Sequence, residues 1–213
     1  MEGRTWLRSR ATTPKRETPN PQLRSPMPAL EEKTTLADFQ ALPEGPPYYE
    51  LVGGQLIEKP SPTPTHQHLV TRLSAKMLAF IDEHDLGMVY VAPLDTHLTQ
   101  EDAYQPDVLF ISHERAGIVG ERIEGAPDLV VEVLSPSTGY YDLTAKRRVY
   151  AETGAREYWI VDPMEETIDV LSRTEAGGFE SRGALPKEDE VASQVLDGFT
   201  VRLADLLAGM RRA

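Results

Sequence analysis

The run Asp128-Leu129-Val130-Val131-Glu132-Val133-Leu134 is the feature that most constrains this chain. Apolar side chains at both odd and even positions suit a strand covered on both faces, and such a strand needs packed structure above and below it. Glu157-Tyr158-Trp159-Ile160-Val161 is a second run of the same kind. Between them, Asp142 to Thr153 reads as a helix ended by Gly154.

Upstream, Thr34 or Thr35 can cap a short helix through Leu36, Phe39 and Leu42 that Pro43 stops. Tyr48 to Val52 and Gln55 to Glu58, joined by Gly53-Gly54, read as a β-hairpin. Ser61 to Pro64 reads as a loop. After it, Leu69, Leu73, Met77, Phe80 and Ile81 recur at helical spacing over about 18 residues. Extended segments are expected at Met88 to Ala92, Thr96 to Thr99, Asp107 to Ile111 and Thr167 to Leu171, with a short strand and a small helix between Val191 and Leu207. The fold class this implies is mixed α/β (α+β): a mixed sheet flanked by two main helices, with an N-terminal β-hairpin.

The length of 213 residues suits one ordinary domain. Residues 1–33 carry five prolines among Thr, Ser and Arg, and no apolar period. They are expected to be a disordered arm, with Met27 as an alternative start, and residues 34–213 to be the single domain. No stretch of about 18 apolar residues is present, so no membrane partner is expected. The absence of cysteine excludes disulfides, thiolate metal sites and a Cys nucleophile. No apolar stretch follows the N-terminal arginines, so the expected location is the cytoplasm.

Charge argues against a simple polyanion binder. With 22 basic and 34 acidic residues the net charge is −12, and the arm alone is basic, leaving −15 on residues 34–213. Any nucleic-acid function then needs a local basic patch, or a metal that offsets the carboxylates.

Two carboxylates stand in apolar runs. Glu132 lies among Val130, Val131, Val133 and Leu134, where an ionised group is costly unless a cation compensates it; as a strand-end residue it could instead face solvent. Asp107 opens the run Val108 to Ile111 behind Pro106, either as a turn-forming Asp or as a partner of Glu132. Together they could chelate a hard cation such as Mg²⁺. On the following helix Leu143, Lys146 and Tyr150 fall at i, i+3 and i+7, so Lys146 should lean toward the sheet, while Arg147 and Arg148 project to the flanks. A snorkelling structural lysine has the same spacing.

In this order, Tyr49-Glu50-Leu51-Val52-Gly53-Gly54, Gln105-Pro106-Asp107, Val131-Glu132-Val133-Leu134-Ser135-Pro136-Ser137-Thr138, Asp142 with Lys146, and Glu157 to Pro163 resemble the Uma-two family of endonucleases, in the PD-(D/E)XK restriction-endonuclease-like superfamily. The resemblance spans about residues 34–171 and is expected to extend to the C-terminus. It implies a restriction-endonuclease-like sheet core and Mg²⁺-dependent hydrolysis of phosphodiester bonds in DNA, with Mn²⁺ as a substitute ion. It matches Asp107 to the Asp of the PD element and Glu132 to the acidic residue of (D/E)XK, with the Val133 carbonyl as a further metal ligand. The lysine expected two positions after Glu132 is Leu134 here, so Lys146 is taken as its replacement. Glu50 resembles an additional acidic residue from an N-terminal element, although an exposed hairpin carboxylate fits the same position. A homodimer is expected, since cutting both strands needs two sites.

Other candidates have plainer readings. His66 and His68, placed just before the long helix, lack further His or Cys neighbours in sequence for a zinc set, though His66 or Gln67 could line the cleft. Asp162 suits a turn with Pro163, Tyr158 and Trp159 suit the core, and Ser135 and Ser137 lack a nucleophile elbow. The competing function is a catalytically silent module that binds nucleic acid or protein, favoured by net acidity and by Leu134.

Overall fold

The structure, a computed structural model, describes residues 33–135 and 140–210. The arm expected over residues 1–33, apart from Lys33, and Pro136, Ser137 and Thr138 of the quoted motif lie outside the described residues.

The first helix, α1 (Leu36–Gln40), begins as the cap residues dictate. Asp38 N–H donates to the Thr35 hydroxyl at 3.2 Å, and Thr35 N–H donates back to the Asp38 carboxylate at 2.9 Å. The hairpin of β1 (Tyr49–Val52) and β2 (Gln55–Glu58) turns at Gly53 and Gly54, whose φ values of 56° and 83° are left-handed. Helix α2 (Pro64–His84) takes in the last residue of the expected Ser61 to Pro64 loop, whose first three residues lie outside any helix or strand. Thr63 is its N-cap and Pro64 occupies its first turn, a position where a missing N–H costs nothing, so His66 and His68 lie inside the helix. Its buried stripe is Leu69, Val70, Leu73, Met77 and Ile81.

Next come β3 (Gly87–Val91), β4 (Thr96–His97), β5 (Ala103–Tyr104), β6 (Val108–Ser112), a 3₁₀ helix (His113–Ile118), β7 (Ile123–Glu124) and β8 (Leu129–Val133). Helix α3 (Tyr140–Thr153) leads to β9 (Glu157–Asp162) and β10 (Thr167–Arg173). The chain then continues through β11 (Phe179–Ser181), β12 (Leu185–Pro186), β13 (Val191–Ala192), β14 (Thr200–Val201) and α4 (Leu203–Leu207). Among the described residues, the main sheet runs β11-β10-β9-β8-β6-β3, with β12 also on β10. It is mixed: β8 and β9 are parallel, whereas β6 pairs antiparallel with both β8 and β3. A second sheet, β2-β1-β5-β4-β7, carries the hairpin.

All five residues of β8 are buried, as the apolar run requires. Their side chains alternate between two cores. Leu129, Val131 and Val133 pack with the α2 stripe, Trp159, Val161 and α4, while Val130 packs with Tyr104, Tyr158, and Val149 and Tyr150 of α3. By this period Glu132 falls on the α3 side. Helices therefore cover both faces of the central strands, and residues of β1, α2, β6, β8 and α3 meet at one end of the sheet.

Candidate active site

Each acidic side chain reaches the site through local geometry. Val108 pairs with Val131 and Leu109 with Val130, and one step further along the antiparallel register sets Asp107 beside Glu132. Asp107 is 5% exposed, and its Oδ2 accepts the Val133 N–H at 2.8 Å and contacts His66 Nε2 at 3.0 Å. The Asp107 carboxylate therefore ties β8 to α2.

Glu132 is 6% exposed, which removes the reading of a solvent-facing strand end. Its Oε1 lies 3.2 Å from Lys146 Nζ. Lys146, 2% exposed, sits on the inward face of α3 between buried Leu143 and Tyr150, as the helical spacing predicts. Arg147 and Arg148 are exposed.

Glu50 on β1 is 2% exposed, so the alternative of an exposed hairpin carboxylate is overturned. Its Oε2 is 2.7 Å from Lys146 Nζ, and its Oε1 accepts the Gln105 N–H at 2.8 Å. Lys146 Nζ also stands 5.5 Å from the centre of the Tyr104 ring. A second lysine joins the group: Lys59 Nζ donates to the Gln105 carbonyl at 2.7 Å and lies 3.5 Å from Glu50 Oε1. Lys59 and the His66 contact were not legible in sequence, because their partners lie 46 and 41 residues away. The nearest signal was the placement of His66 beside the cleft by the loop that precedes it.

The electrostatics separate the three carboxylates. Burial pushes Glu50 up, but Lys146, Lys59 and the Gln105 N–H more than offset it and hold the group below its ordinary value. Burial likewise raises Asp107, and the His66 hydrogen bond, Lys59 and the Val133 N–H bring it below its ordinary value. For Glu132 burial wins. Lys146 lowers it, Asp107 and Glu50 repel its charge, and its pKa rises to about 7.

Glu132 and Asp107 thus form a buried, mutually repelling oxygen pair whose charge the local cations leave under-compensated. That fits a hard divalent cation. Asp107 and Glu132 are the side chains that could hold one, and Val133 lines the cleft beside them. Among the described residues no group of three or more His, Cys, Asp or Glu side chains forms a metal cage. Two carboxylates fall short of a closed cage, so an ion held here would need further oxygens to complete its shell.

These groups line a cleft of about 1000 Å³ together with Ser135 and Gln67. Asp162 accepts the N–H groups of Met164 and Glu165 and so shapes a turn, and Tyr158 and Trp159 are core residues. His68 is not among the cleft's lining residues.

A mixed sheet with a helix on each face, carrying carboxylates at the ends of adjacent strands and a buried lysine against them, defines the restriction-endonuclease-like, nuclease class of fold. The family model described as "Uma2: Putative restriction endonuclease" matches residues 36–205, and the chain belongs to that family. The fold is also that of a crystal structure described as a "putative nuclease belonging to DUF820" from Anabaena variabilis ATCC 29413. That structure is 20% identical in sequence with a TM-score of 0.73, and the match covers 82% of this chain and 97% of that one. No curated protein matches the chain.

Proposed function

We propose that this protein is a Mg²⁺-dependent endonuclease that hydrolyses phosphodiester bonds in DNA, with Asp107, Glu132, Lys146 and Glu50 as its working side chains. The observation that carries the reading is Lys146. It stands fourteen residues after Glu132 in sequence and 3.2 Å from it in space, so a buried lysine meets the acidic residue although Leu134 holds the usual lysine position. A module that merely binds a partner has no need to keep a buried lysine against two buried carboxylates, since apolar residues of similar volume are commonly no less stable there.

Asp107, Glu132 and the Val133 carbonyl would hold the metal, with Mn²⁺ able to replace Mg²⁺. When bound, the ion polarises the scissile phosphate and lowers the pKa of a coordinated water. Asp107 is kept ionised and fixed in direction by the Val133 N–H and His66. Lys146 supplies a preoriented positive charge where negative charge builds on the phosphate, and Glu50 holds that ammonium in place. Lys59 anchors the β1 side of the cleft through the Gln105 carbonyl and adds positive charge.

The reading is tested by incubating plasmid and oligonucleotide DNA with Mg²⁺ and comparing the wild type with Asp107→Ala and Lys146→Ala. Cleavage that both substitutions reduce by about a hundredfold or more supports it, and equal nicking by all three proteins contradicts it. A duplex substrate would call for two clefts, one for each strand, hence a homodimer. Light scattering that gives a monomer's mass removes that version of the reading.

A further inference from the structure

A second recess adjoins the cleft. It measures about 360 Å³ and shares Pro47, Tyr48, Pro93 and Gln105 with the cleft. Its other lining residues include Phe39, Tyr49, Gln40, Asp95 and Arg122, with Glu44 and Glu121 among them. Gln105 bridges the two spaces: its backbone N–H donates to Glu50 in the cleft, and its side-chain amide donates to Asp95 in the recess at 2.8 Å. Asp95 in turn faces Arg122 at 3.5 Å. A recess of this size holds one nucleoside, and its wall combines aromatic rings with amide, carboxylate and guanidinium groups, the chemistry that reads the edge of a base.

Charge points the same way. A duplex is held through many phosphate contacts from Lys and Arg, whereas the Lys and Arg residues lining the cleft are Lys59 and Lys146, both facing Glu50, on a chain of net charge −12. An unpaired strand is held differently, by stacking its bases on aromatic rings beside a modest positive groove. Tyr48 is placed to stack in this way, because it is 41% exposed and lines both the cleft and the recess.

We infer that the substrate is an unpaired nucleotide strand, whose base stacks on Tyr48 and enters the recess while the adjoining phosphate lies in the cleft. The inference rests on the nuclease reading of the cleft and goes beyond it by naming the strand state.

Fluorescence anisotropy with a labelled 12-nucleotide strand tests it, in Ca²⁺ as a hard cation chosen to occupy the oxygen ligands without turnover. The arms are single-stranded DNA, single-stranded RNA of the same sequence and the matching DNA duplex, each with wild type, Tyr48→Ala and Tyr48→Phe. Tyr48 is exposed, so its truncation leaves the core intact. The expected result is binding of an unpaired strand at least tenfold tighter than the duplex, lost by about tenfold in Tyr48→Ala and kept in Tyr48→Phe. The DNA and RNA arms identify which strand is the ligand, and a preference for either supports the inference. Duplex affinity equal to that of the strands, or Tyr48→Ala binding like wild type, overturns it while leaving the nuclease reading intact. Absence of binding in every arm overturns it too, and a parallel Mn²⁺ titration then separates the two failures, because a retained metal site preserves the nuclease reading and its absence removes both.

Discussion

Lys146 Nζ stands 2.7 Å from Glu50 Oε2 and 3.2 Å from Glu132 Oε1, with all three side chains buried. One ammonium thus serves two carboxylates that come from different sheets, Glu50 on the hairpin and Glu132 on the central strand. It cannot neutralise both fully, and the shortfall falls on Glu132, the carboxylate that also faces Asp107. The site is arranged around a charge deficit that a divalent cation would fill.

Removing the shared cation leaves two buried carboxylates without it. Lys146→Met is expected to lower stability at pH 8 by about 3–5 kcal/mol without metal, read by urea unfolding. Adding Glu132→Gln to that variant should recover much of the loss. A single-variant loss of under about 1 kcal/mol would show that the pair is not held as described.

Glu132 gives the metal-free protein a pH-dependent contribution to stability. Its pKa in the fold, about 7, exceeds the ordinary 4.5, so the folded state keeps a proton that the unfolded chain releases. Stability from this group therefore falls as pH rises from about 4.5 to about 7, and the cost above that range is about 3 kcal/mol. Glu50 and Asp107, held below their ordinary values, act oppositely: their contribution is present above those values and is lost as the pH falls below them. Thermal melting from pH 5 to pH 8 is expected to show a decline in the wild type that Glu132→Gln removes. Identical pH profiles for the two proteins would contradict the assignment.

Metal binding should release the same proton. Below pH 7, Mn²⁺ affinity is expected to rise by up to about tenfold per pH unit, flattening above it, because the ion needs Glu132 ionised. Calorimetry in buffers of different ionisation enthalpy gives the proton count directly. An affinity that does not vary between pH 6 and pH 8 would contradict a Glu132 ligand that holds a proton before the metal binds.

His66 contacts the Asp107 oxygen that also takes the Val133 N–H. His66→Ala is expected to weaken Mn²⁺ binding by about 10- to 100-fold, as loss of an orienting partner does around a metal ligand. An unchanged dissociation constant would reduce His66 to a packing residue of α2.

Much of this architecture was legible where local pattern and tertiary role coincide. Continuous apolar runs gave β8 and β9, Gly53-Gly54 gave the hairpin, and the i, i+3, i+7 face of α3 turned Lys146 inward. What escaped was short or long-range. Strands β5, β7 and β12 are two residues long, too short for a period of two to register. The start of α2 was hidden because Pro64 reads as a loop residue although its first-turn position suits it. Lys59 carries no local signal, and the loop before His66 placed it beside the cleft without showing its partner Asp107, since these contacts arise only when β1, β6 and α2 meet. The burial of Glu50 likewise depends on Gln105 and Lys146, which are distant in sequence.

The most direct test is calorimetric titration of Mn²⁺ into the wild type, Asp107→Ala and Asp107→Asn at pH 8. Asp107→Asn keeps the side chain's size and loses its charge, so a folding defect in the alanine variant does not decide the result. The account predicts a saturable site in the wild type that is weakened at least tenfold in both variants. Equal binding in all three proteins, or no binding in the wild type, would contradict it.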